Sequence, residues 1–252
     1  MAFFKSGNPT LSEKAFGKTL DQAGSQGVMT QSGAMNKFAM LMLLVLASAS
    51  LTWKAAAEGV NVLPWMIGTA IGGLVIALVI SFRPQTSPFM GPVYALVEGV
   101  FVGGISAYYN DAFDQIAPNL IMQAVGLTFG VIIAMYALYK FKVIKATERF
   151  KSIVFMATAG IAVFYLLSFV LRFFGINMPL IHDNSQWGIL FSLAVVVIAS
   201  LNLILDFDMI EKGAEMGAPK YMEWYGAFAL VVTIIWLYIE ILRLLSKMAS
   251  RD

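Results

Sequence analysis

Seven apolar stretches of about 20 residues, the length a helix needs to cross a bilayer, constrain this chain more than any other feature. They run approximately over residues 38–56, 62–82, 91–109, 119–139, 153–174, 187–210 and 222–245, with short polar loops between them. Composition agrees with this reading. Hydrophobic residues make up 59% of the chain and charged residues 13%, whereas soluble domains have about 45–50% and roughly 25%; the mean hydropathy is +0.77. The expected fold is therefore all-α: a polytopic integral membrane protein with about seven transmembrane helices. Residues 1–36, rich in Gly, Ser, Gln, Thr and Lys, read as a polar, disordered cytoplasmic tail, and residues 37–252 as the membrane domain.

Several chemistries are excluded by residue counts. The formal net charge is +2, which gives no footprint for a nucleic-acid partner. The absence of cysteine removes disulfides, thiolate metal sites and a Cys nucleophile. A single histidine, His182, rules out a His-based metal cluster. No Gly-x-Gly-Asp, Gly-x-Ser-x-Gly or His-Glu-x-x-His motif is present, so an intramembrane enzyme is not expected.

Orientation follows from the distribution of Lys and Arg, which concentrate in short cytoplasmic loops. The loop after the fourth stretch holds Lys140, Lys142, Lys145, Arg149 and Lys151, while the loop before that stretch holds Asp111 and Asp114 and no base. The basic loop is expected to be cytoplasmic. Seven spans then put Lys5, Lys14, Lys18 and Lys37 inside, in agreement, but send Arg243, Lys247 and Arg251 outside, against the rule.

Three small-xxx-small pairs, Gly68/Gly72, Gly99/Gly103 and Gly126/Gly130, predict close helix contacts in three successive spans. An ionised side chain near the bilayer centre costs at least ~2.5–3.5 kcal/mol on insertion scales, so each acid within a span asks for a partner or a function. At 1.5 Å per residue, Glu98 and Asp206 both lie roughly 10 Å from the cytoplasmic face. These two are the principal candidates for a proton- or cation-sensing site. Asp208, Glu211 and Lys212 read as a solvated helix end, with Asp208 a secondary candidate. Arg83, ending the second span, is the cation placed to reach the acids. Glu240 and Arg172 both fall near the outer surface and make a candidate outer pair, although Arg243 is also a local helix-face partner for Glu240.

The stretch Asn202-Leu203-Ile204-Leu205-Asp206-Phe207-Asp208-Met209-Ile210-Glu211 resembles the sixth-helix motif of the Bax inhibitor-one family, also called transmembrane Bax-inhibitor-motif proteins. Gly91-Pro92-Val93-Tyr94-Ala95-Leu96-Val97-Glu98-Gly99, Ala218-Pro219-Lys220-Tyr221-Met222-Glu223-Trp224-Tyr225 and the ending Leu237 to Lys247 look like its bacterial branch. The resemblance covers roughly residues 35–250. It implies seven helices with a central last helix and, as in several members, a pH-sensitive calcium leak. It further implies two aspartates on the sixth and seventh helices that share a proton, and an arginine latch at the end of the second helix. Asp206 matches the first aspartate and Arg83 falls near the latch. Thr233 stands where the family often has the second aspartate, and Glu240 lies two turns later, so Glu98 or Asp208 becomes the replacement partner.

Two close carboxylates in low dielectric resist double ionisation, so they hold a proton between them or bind a hard cation. Calcium takes six to eight oxygens, which makes Asp206 and Glu98 weak ligands completed by water or carbonyls. The expected function is a pH-sensitive calcium leak channel or transporter in the bacterial inner membrane, with lipid, protons and calcium as its partners. The alternative is a non-transporting regulator that binds other membrane proteins, such as a quality-control protease.

Overall fold

A computed structural model describes residues 27–175, 178 and 184–250. Among them are seven helices long and apolar enough to cross a membrane: α1 (Gln31–Ala57), α2 (Leu63–Phe82), α3 (Ser87–Phe113), α4 (Leu120–Lys140), α5 (Glu148–Phe173), α6 (Gln186–Glu215) and α7 (Met222–Ala249). A helix satisfies every backbone group within itself, which is what a hydrocarbon environment demands. A single 3₁₀ turn, Pro84–Thr86, joins α2 to α3. The last helix is the most buried: 61% of its most apolar stretch is covered by protein, against 6% for α5. The resemblance implies a central last helix, and α7 is the best covered of the seven.

The first helix starts earlier than the hydropathy pattern suggests. Thr30, in extended conformation, accepts the Gly33 N–H at 3.0 Å and so caps α1. The segment before it is also held. Met29 N–H donates to the Ala218 carbonyl at 2.7 Å, Lys220 N–H donates to the Gly27 carbonyl at 3.1 Å, and Val28 pairs with Pro219 in an isolated bridge. The boundary drawn at residue 36 is thus corrected: residues 31–36 are helical and residues 27–30 are pinned to the chain before α7. The rest of the expected tail, residues 1–26, and His182 lie outside the described residues.

The chain divides into two compact units. Unit 1 comprises the chain to Ala107 together with Asp208–Val231, and unit 2 comprises Tyr108–Phe207 with Val232 onward. In unit 1, Gly99 and Gly103 of α3 lie against the backbone of α1. A Cβ on Gly99 would stand 2.9 Å from the Val45 Cα, and one on Gly103 would stand 2.8 Å from the Ala49 Cα. Only glycine lets the two backbones approach this closely. The α6 end in unit 1 is closed by Gly217 at φ 68, with the Ala218 N–H donating to the Gly213 carbonyl at 2.9 Å.

In unit 2 the equivalent pair by spacing, Gly126/Gly130 of α4, has nothing among the described residues within 4 Å of where a Cβ would stand. Gly68 of the first pair is equally open, and Gly72 meets only Val97 at 3.8 Å. Of the three expected close contacts, only Gly99/Gly103 forms as drawn. Two of the three bases in the charge conflict at the C-terminal end are paired. Arg243 bonds Glu240, and Lys247, only 3% exposed, donates to the Gly188 carbonyl at 3.0 Å. Neither is a free loop charge of the kind that orients spans.

Candidate functional site

Unit 2 supplies a polar stripe on α6. Asn202 and Asp206 stand one turn apart on the same helix face. The Asn202 Nδ2 donates to Thr158 Oγ1 of α5 and to the Ile198 carbonyl, both at 2.8 Å. The Asp206 carboxyl has the Thr233 hydroxyl of α7 in hydrogen-bonding reach. Its second oxygen, Oδ2, is buried and has no hydrogen-bond partner among the described residues. Buried acceptors are almost always bonded, so this atom has capacity for a proton, a water or a cation. Thr233, itself buried, occupies the place that the resemblance gives to a second aspartate.

Glu98 belongs to unit 1, where its carboxyl packs directly against Gly73 of α2. The side chain of Tyr94, one turn earlier on α3, hydrogen-bonds it. Gly73 therefore does for Glu98 what the nearby Gly72 of the predicted motif does not: it opens a notch in α2 that receives the acid. Because α3 begins at Ser87 rather than near residue 91, Glu98 lies deeper along it, about 16 Å from its start at the helical rise. Glu98 and Asp206 each have a hydroxyl of their own unit beside them.

The remaining sequence candidates find these places. Asp208 is corrected from a solvated helix end: it is buried in unit 1 and bonds Lys212 at 2.9 Å. Arg83 is exposed at the end of α2, its carbonyl accepting the N–H and hydroxyl of Thr86 at 2.9 and 2.8 Å. It makes no ion pair among the described residues. The outer pair is rearranged. Glu240, 1% exposed, bonds Arg243 Nη1 through both oxygens at 3.0 Å and accepts the Tyr165 hydroxyl at 3.0 Å, while Trp236 Nε1 donates at 3.3 Å. Arg243 also donates to Tyr165 Oη at 2.6 Å and lies over its ring. Arg172 is exposed in the last turn of α5 instead. One turn along α7 is near enough for a single guanidinium nitrogen to reach both Glu240 oxygens, and the Tyr165 hydroxyl donates to the same carboxylate.

Glu223 was missed as a site residue. Its carboxylate, in the first turn of α7, is fully buried in unit 1. It accepts the Thr30 N–H and hydroxyl at 2.9 Å each, pairs with Lys220 at 2.8 Å and with Lys37, and lies against Gly33. Lys220, three residues earlier, was a readable local signal. Thr30 and Lys37 were not, because some 190 residues of chain separate them from Glu223, as the spacings of 193 and 186 show. Four donors around one carboxylate make this a structural clamp.

Among the described residues no group of three or more His, Asp or Glu side chains converges for a metal. A family model described as Bax inhibitor 1 like matches residues 8–250. Among curated proteins no match is found.

Proposed function

Because the chain belongs to the Bax inhibitor 1 like family, a membrane family, we propose that it is a pH-sensitive cation leak, calcium foremost, controlled by protonation at Asp206. The observation that carries this reading is the buried Oδ2 of Asp206, without a hydrogen-bond partner among the described residues, beside the Thr233 hydroxyl. A carboxyl so placed is neutral when protonated and attracts a cation only when ionised. Glu98, seated in the Gly73 notch with Tyr94, is the second acid of the proposal. Arg83, exposed at the end of α2, is the candidate latch, and Asp208 is held by Lys212 in a supporting role. In this reading the protein works in a bacterial inner membrane and catalyses no chemical step.

The competing reading is a regulator that binds other membrane proteins, such as a quality-control protease, without transport. The feature that favours it is the open groove at Gly126/Gly130 of α4, which leaves room for a partner helix. Liposomes containing only this protein decide between the two. Calcium entry whose pH dependence is lost in Asp206→Asn supports the leak; impermeable liposomes holding folded protein overturn it.

A further inference from the structure

The turn between α4 and α5, within unit 2, carries a residue in a conformation that its side chain disfavours. Lys142 has φ 56, in the left-handed region that non-glycine L residues seldom occupy. The hydrogen bonds explain the geometry. Lys142 N–H donates to the Tyr139 carbonyl and Val143 N–H to the Leu138 carbonyl, both at 3.0 Å, which is the Schellman closure of a helix C-terminus. That motif calls for glycine at the left-handed position, and here it has lysine.

The surroundings give the lysine a purpose. Lys140, Lys142, Lys145 and Arg149 are all exposed, and Phe141 and Val143 between them are 78% and 69% exposed. The one acid in the turn region, Glu148, already bonds Lys151 at 3.3 Å. Since α4 ends at Lys140 and α5 starts at Glu148, the turn lies where both spans leave the hydrocarbon. Bases at this level meet lipid phosphates, and apolar side chains interleaved with them have the acyl boundary to enter.

We infer that the α4–α5 turn is a binding site for the headgroup of anionic phospholipids, with Lys142 projecting from the left-handed position as its central base and Lys140, Lys145 and Arg149 around it. Phe141 and Val143 anchor the turn beside the bound lipid. The site is independent of the transport reading, and it holds whichever face of the membrane the turn occupies.

The test is to titrate detergent-purified full-length protein with phosphatidylglycerol and with phosphatidylcholine, counting bound lipids by native mass spectrometry. Phosphatidylglycerol is expected to be retained in preference. Lys142→Gly should weaken that retention about fivefold, the value of one surface base, while the turn tolerates or favours glycine. Lys145→Gln, away from the left-handed position, should give a similar loss with no change in backbone. Arg172→Gln, an exposed base at the other end of α5, should change nothing. Equal retention of the two lipids, equal losses in Lys142→Gly and Arg172→Gln, or displacement of phosphatidylglycerol by millimolar inorganic phosphate would overturn the proposal.

Discussion

Thr30 donates to Glu223 twice, from its backbone N–H and from its hydroxyl, each at 2.9 Å. The same threonine caps α1, so one residue starts the first helix and fastens it to the start of the last. Lys37 and Lys220 neutralise the carboxylate, and Gly33 leaves the space it fills.

Glu223→Gln is expected to lower stability by about 1–3 kcal/mol, because it replaces charge-assisted hydrogen bonds with neutral ones while the partly exposed lysines turn to water. Gly33→Ala should do comparable damage, since its Cβ would occupy the carboxylate position. Thermal unfolding in detergent measures both. An unchanged melting temperature in Glu223→Gln would show the clamp to be dispensable.

Asp206→Asn is expected to hold calcium flux at its low-pH level across the pH range, since the amide stands in for the protonated carboxyl. Asp208→Asn should retain the pH response, because Asp208 is held by Lys212. Thr233→Asp would add a second titrating group beside Asp206 and steepen the response. Liposome flux recorded from acid to alkaline pH distinguishes these; equal effects of the two Asn variants would remove Asp206 from the sensing role.

Gly103→Ala and Gly130→Ala should differ in sign. In the first, the new Cβ meets the Ala49 backbone and α1 must move away from α3. In the second, the Cβ enters open space, and alanine gains up to about 1 kcal/mol of helix propensity over glycine. Paired melting curves test this, and destabilisation by Gly130→Ala would mean that the α4 groove is occupied.

Arg243→Leu strands the Glu240 carboxylate, which is 1% exposed, and should cost about 3–5 kcal/mol, as breaking a buried pair from one side does. Tyr165→Phe removes one hydroxyl from the same cluster and should cost less, about 1 kcal/mol. Arg172→Leu should be near neutral. Unfolding measurements on the three variants give the ranking, and a larger loss from Arg172→Leu than from Arg243→Leu would contradict the pairing described.

The chain has no cysteine, so a single introduced thiol reports the orientation cleanly. Thr147 caps α5 by accepting the Phe150 N–H, which makes exposed Lys145 the better position. Lys145→Cys is expected to resist an impermeant thiol reagent applied to intact cells. Ready labelling would invert the orientation.

Number and approximate extent of the spans were determined by sequence alone, because a bilayer core imposes a single rule on every segment: about 20 apolar residues closed on themselves as a helix. The family was equally legible, since its motifs around Glu98, Asp206 and Tyr225 are contiguous in the chain. Which residues meet was another matter. Gly99/Gly103 and Gly126/Gly130 have the same spacing, yet among the described residues only the first pair lies in close contact with another helix, and spacing carries no information about what lies opposite. Gly73 rather than Gly72 receives Glu98, a difference of about 100° around the helix that only packing selects. Glu240 chose Arg243 over Arg172, and Asp208 is covered rather than solvated, because burial depends on helices far away in sequence. Glu223 with Thr30 and Lys37 was decided wholly in three dimensions: a carboxylate in the first turn of the last helix gains its partners only once the opening segment of the chain has folded onto it.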